Sequence, residues 1–160
     1  MTRVDSPFPE PELDELYREL ILDHYRHPHN KGKLPNATHA EGYNPLCGDE
    51  IELDVALDGE TIEDIAFGGR GCSISQASAS MMTDAVKGAT VAEAERLAEA
   101  FRTMMTDAES EPDEALGDLE AFQGVAKFPV RVKCATLAWR VLEDAIKGGP
   151  ERIEIKGDER

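Results

Sequence analysis

The run "IELDVALDGETIEDIAF", residues 51–67, decides the fold class. Ile51, Leu53, Val55 and Leu57 alternate with polar residues, the period of a strand with one buried face. Asp58-Gly59 comes next, and the apolar series resumes at Ile65 and Phe67. An Asp-Gly pair between two such runs signals a hairpin. Just upstream, "ATHAEGYN" (37–44) predicts a third antiparallel strand.

On both flanks the period becomes helical. Leu13, Leu16, Tyr17, Leu20, Ile21 and Tyr25 are spaced as one helix face, and His27-Pro28 ends that helix because the residue before proline avoids helical torsions. Downstream, "SISQASASMMTDAVKG" (73–88) and "TVAEAERLAEAFRTMMT" (90–106) read as two helices. A last helix starts near Pro129, with Val132, Leu137, Val141, Leu142 and Ile146 among its apolar positions. The acidic stretch 107–118 reads as a solvated connection, residues 1–11 as a loose arm, and the charged tail 149–160 as frayed or at most a short strand. The expectation is one domain over residues 1–160, of α+β class, with a small three-stranded antiparallel sheet and helices on one face.

Composition narrows the function. Acids number 33 against 17 bases, a net charge of −16, which disfavours nucleic acid because phosphate binding needs a basic face. The surplus suits a basic protein partner or a salty cytoplasm. No apolar run is long enough to span a bilayer, and "MTRVDSPFPEPELDE" has no signal-peptide core, so a cytoplasmic location is expected. Three cysteines, an odd number, argue against a disulfide framework and suit a reducing compartment.

Cys47 falls in the turn between two strands, Cys72 at the start of a helix, and Cys134 near the start of the last helix. Helix N-termini favour thiolates, so Cys72 and Cys134 are expected to be acidic thiols. With the Asp49 carboxylate, three thiolates make up a tetrahedral zinc set. The competing reading is that each cysteine is a small buried hydrophobe. No CxxC spacing favours zinc, while Gly48, Gly69 and Gly71 beside the cysteines allow close backbone approach.

The segments "YNPLCGDEIELDV", "GRGCSISQASASMM" and "FPVRVKCATLAW" resemble, in order and spacing, the three cysteine motifs of the IscU-like iron–sulfur assembly family. The opening "LYRELILDHYRHPHNKGKL" is similar to that family's first helix, and the likeness covers about residues 12–148. In the scaffold branch a metal-holding histidine precedes the last cysteine; here Lys133 stands there. That replacement, with the long region between Cys72 and Cys134, is similar to the SufU branch of zinc-dependent sulfurtransferases. The resemblance implies a SufE/IscU-like fold and a Zn²⁺ ion held by Cys47, Asp49, Cys72 and Cys134. It further implies that Cys47 accepts persulfide sulfur from a SufS-type cysteine desulfurase and passes it to downstream iron–sulfur assembly proteins. Little activity is expected from the chain alone. Arg131, three residues before Cys134, would offset the negative charge of the site. Two rivals stay open: a scaffold building a two-iron, two-sulfur cluster on the same residues, and a zinc-stabilised adaptor without transfer chemistry.

Other candidates read as structural. His24 is expected on a helix surface or interface, with His27 and His29 flanking the helix stop. The Ser/Ala stripe at 73–80 suits a close helix contact, and Met81, Met82, Met104 and Met105 suit core filling.

Overall fold

A computed structural model describes residues 9–107, 111–147 and 152–154. The first helix, α1, runs Pro9–Arg26, so positions 9–11 belong to the helix rather than to the expected arm. Prolines at 9 and 11 are tolerated there because first-turn amides have no partner within the helix. Residues 1–8 lie outside the described part.

The sheet follows. β1 (Thr38–Asn44), β2 (Asp49–Asp58) and β3 (Thr61–Arg70) form the expected antiparallel meander. Ala40 lies opposite Leu53, and Leu53 opposite Phe67, so one pleat face gathers Ala40, Ile51, Leu53, Val55, Ile65 and Phe67 into the core. Gly59, at φ 63°, makes the predicted hairpin turn, and a register shift between Ala56 and Leu57 twists its base.

After β3 come α2 (Ser73–Val86) and α3 (Val91–Thr106), the latter opened by a capping box between Thr90 and Glu93. The last helix, α4, spans Pro129–Lys147 and lies against β1, β2 and α2. The serines and alanines of α2 let the helices approach closely, and Ser78 Oγ donates to the Ala135 carbonyl at 2.6 Å. All four named methionines are buried, and Phe101 stacks on Trp139 at 5.0 Å between ring centres.

Two elements depart from expectation. Residues 111–118 of the acidic connection are exposed as expected apart from Leu116 and half-buried Pro112, but Glu114–Lys127 folds as short 3-10 turns broken at Gly117, and buries Leu116, Leu119 and Phe122. The charge pattern hid a spacing of three, which is the 3-10 repeat. The tail, read as frayed or at most a short strand, supplies a short fourth strand, β4 (Arg152–Glu154), paired parallel with Glu41–Tyr43. The outer edge of β1 would otherwise present unpaired backbone groups. At the opposite edge, Phe67 exchanges hydrogen bonds with Asn30 and Gly32, and Ile62 does so with Gly88 and Ala89.

Candidate metal centre

Four elements deliver the three cysteines and Asp49 to one end of the sheet. Cys47 hangs on the four-residue turn after β1, where the amides of Cys47 and Gly48 both reach the Asn44 carbonyl and Leu46 N–H donates to Asn44 Oδ1. Gly48 takes φ 73°, a conformation that favours glycine. Asp49 opens β2 and is fully buried. Cys72 is the N-cap residue of α2, and Cys134 lies buried in the second turn of α4.

The contacts tie these side chains together. Cys47 Sγ lies 3.2 Å from Cys134 Sγ. Asp49 Oδ1 accepts the Cys72 backbone N–H at 2.9 Å, and its Oδ2 lies 3.8 Å from Cys72 Sγ. Cys47, Asp49 and Cys134 present donor atoms that all fall within 4.8 Å of one another. A Cβ on Gly71 would stand 2.4 Å from Asp49 Oδ1 and 2.7 Å from Ser75 Oγ, so the bare backbone there gives Asp49 its place.

The electrostatics split the two helix-borne thiols. Cys72 is brought down to about 6, first by hydrogen bonding with Cys134 and then by the amides of Ser75 and Ile74 at the start of α2. Cys134 moves the other way, pushed far up by its hydrogen bond with Cys72, by burial and by Cys47. The expectation of two acidic thiols therefore holds only for Cys72. Cys134 sits six residues into α4, beyond the first turn where the helix dipole acts. Arg131 is exposed, yet its charge lies close enough to Cys72, Cys134 and Cys47 to be held more firmly protonated.

The donor set fits zinc. Thiolate and carboxylate ligands at about 2.0–2.3 Å in a tetrahedron lie roughly 3.5–3.8 Å apart. The Cys72–Asp49 spacing of 3.8 Å already meets this, and the Cys47–Cys134 spacing of 3.2 Å needs only a small opening. Lys133 is half-buried beside Cys134, and its amine, ordinarily cationic, adds no ligand.

Histidines form a second grouping that sequence reasoning resolved only in part. His24 is buried between α1 and α2, as expected for an interface, while His27 is exposed near Asp23. His29 instead turns back onto Asp84, 55 residues away, a pairing that no local pattern in the sequence signals.

Comparison with known proteins shows the family. Residues 16–135 match the sequence model of the NifU-like N terminal domain. The chain is 51% identical over 134 residues to a protein of Bacillus subtilis named zinc-dependent sulfurtransferase SufU, covering 84% of this chain and 91% of that one. It is 48% identical over 136 residues to a Streptococcus pyogenes protein named iron–sulfur cluster assembly scaffold protein IscU, covering 85% and 86%. Among solved structures, a putative iron–sulfur cluster assembly scaffold protein for the SUF system from Fervidobacterium islandicum superposes with a TM-score of 0.75 at 40% identity, covering 80% of this chain and 94% of that one. No helix among the described residues is long and apolar enough to cross a membrane.

Proposed function

The chain belongs to the NifU-like N-terminal domain family, and from that premise we propose that it is a zinc-dependent sulfurtransferase acting in iron–sulfur cluster assembly. Its donor would be a cysteine desulfurase of the SufS type, its receivers downstream assembly proteins, and Cys47 the residue that carries the sulfur. The observation that carries this reading is the unequal mounting of the three thiols. Cys72 and Cys134 are fixed by helices, whereas Cys47 rides a glycine-containing turn and is half-exposed.

Cys47, Asp49, Cys72 and Cys134 would hold the ion. Bound zinc keeps thiols deprotonated at neutral pH. The Cys47 thiolate attacks the terminal sulfur of the donor's persulfide, a Cys47 S–S bond forms, the donor's S–S bond breaks, and the donor cysteine leaves as thiolate. Charge and electrons balance without any outside redox partner. Arg131, at the mouth of the site, supplies a cation against the negative charge that the incoming persulfide adds. Asp49 holds the start of α2 through the Cys72 amide while Cys47 moves.

The test is intact-mass spectrometry after incubation with a cysteine desulfurase and cysteine. Wild type should gain the mass of one sulfur and speed desulfurase turnover; Cys47→Ala should do neither while keeping its helical circular dichroism. A visible-absorbing iron cluster with no stimulation would turn the reading to an assembly scaffold, for which the Streptococcus relative is named.

A further inference from the structure

The end of α1 and the end of α2 bring together two imidazoles and a carboxylate far from the cysteines. We propose that His24, His29 and Asp84 form a second metal site, for a divalent first-row transition ion. Asp84 lies twelve residues beyond Cys72 along α2, about 18 Å at helical rise. This site does not depend on sulfur transfer.

The geometry is that of a site with its supporting contacts already made. The three side chains offer ligand atoms all within 4.8 Å of one another, and the two imidazole centres lie 4.4 Å apart. His24 is 7% exposed, and Ser80 Oγ holds its Nδ1 at 2.8 Å, which leaves Nε2 as the ligating nitrogen. The same hydroxyl accepts the backbone N–H of His29 at 2.8 Å and so fixes where that side chain starts. Asp84 Oδ1 accepts Asn30 Nδ2 at 2.9 Å, while Oδ2 faces His29 Nδ1 at 2.5 Å.

His29 and Asp84 now share a hydrogen bond, and the ion would take its place. Ligand atoms around a tetrahedral ion stand roughly 3.3 Å apart, so this pair must open by somewhat less than 1 Å. Both side chains are about half exposed, at 49% and 46%, and have the freedom to do so. A neutral His29 ring that ligates through Nδ1 carries its one proton on Nε2.

The surroundings bring carboxylates near the site and leave room for an ion. His24 and Asp84 line a cavity of about 270 Å³ whose far wall carries Asp118, Leu116 and Leu119 from the 3-10 segment. Burial, with His29 beside it, lowers the affinity of His24 for a proton, while the carboxylates of Asp84, Asp23 and Asp118 lie close enough to act the other way. Imidazole ligands select zinc, iron, nickel or copper over magnesium and calcium, which prefer oxygen alone. Water from the cavity can complete the coordination shell.

The experiment is titration of Zn²⁺, and separately Co²⁺, into protein whose cysteine site already holds one equivalent of zinc. Wild type should bind one further ion per chain, with a Co²⁺ spectrum lacking sulfur-to-metal charge transfer. The second event should weaken at least tenfold in both His29→Ala and Asp84→Asn, with the first equivalent and the circular dichroism unchanged. Three results would overturn the site: no second event in wild type, a second event untouched by both substitutions, or one abolished by His39→Ala instead. The last would move binding to the grouping of His39, Glu41 and Glu52 on the sheet.

Discussion

Asp49 bridges β2 to the start of α2, accepting the Cys72 amide with one carboxylate oxygen and facing the Cys72 sulfur with the other. One residue thus has a structural bond and, in the proposed zinc site, a ligand position at once, and substitution can separate them. Asp49→Asn keeps an acceptor for the amide but lowers the charge toward the metal. Asp49→Ala removes both and leaves the amide without its partner, at a cost of about 1–3 kcal/mol. Zinc affinity should fall in both variants, whereas urea denaturation of the metal-stripped protein should show clear destabilisation only for alanine. Equal destabilisation by the two would remove the bridging bond from the account.

The two helix-borne thiols should differ in metal-stripped protein. With Cys72 near 6, its thiolate predominates at pH 7, while Cys134 stays a thiol. Iodoacetamide followed by peptide mapping should therefore label Cys72 ahead of Cys134 at pH 7, and Cys72 labelling should fade as pH drops below about 6. Faster labelling of Cys134 would reverse the assignment.

His39 yields a prediction of stability against pH. Its Nδ1 meets Asp54 at 2.7 Å and its Nε2 meets Glu41 at 2.9 Å, and these two carboxylates, Asp54 foremost, raise its affinity for the proton. A raised folded value means that the stabilisation is fully present below the ordinary histidine value of 6.5 and is lost as pH climbs through the raised one. The gap in unfolding free energy between wild type and His39→Gln should accordingly be widest at acidic pH and shrink toward pH 9. A gap that grows with pH would show that the neutral ring is what the fold prefers.

Much of this structure could be read from short patterns, and the failures have definite causes. The alternation from Ile51 to Leu57, the Asp58-Gly59 turn and the helical spacing around Leu137 and Val141 are local signals, and each element formed where they lie. Leu116, Leu119 and Phe122 were missed because acids and Gly117 dilute them, although their spacing of three was there to be counted. β4 is three residues long and owes its existence to the waiting edge of β1 rather than to its own composition. At the site, residue types left the metal and core readings of the cysteines open and the family resemblance pointed to the four candidate donors, but the opposite drift of Cys72 and Cys134 depends on which sulfur the other elements bring close. The His29–Asp84 contact spans 55 residues, beyond the reach of any periodicity.

The outer sides of β1 and β3 are partly taken up by the chain itself, β4 along Glu41–Tyr43 of β1 and the Asn30–Gly32 and Gly88–Ala89 segments along β3. At those stretches a visiting protein cannot add a strand to β1 or β3 and is met by side chains and shape. The same occupancy guards against growth of the sheet from one molecule into the next, a hazard for any small open sheet at high concentration. Recognition of this kind can form and dissolve quickly, as the proposed carrier role would require.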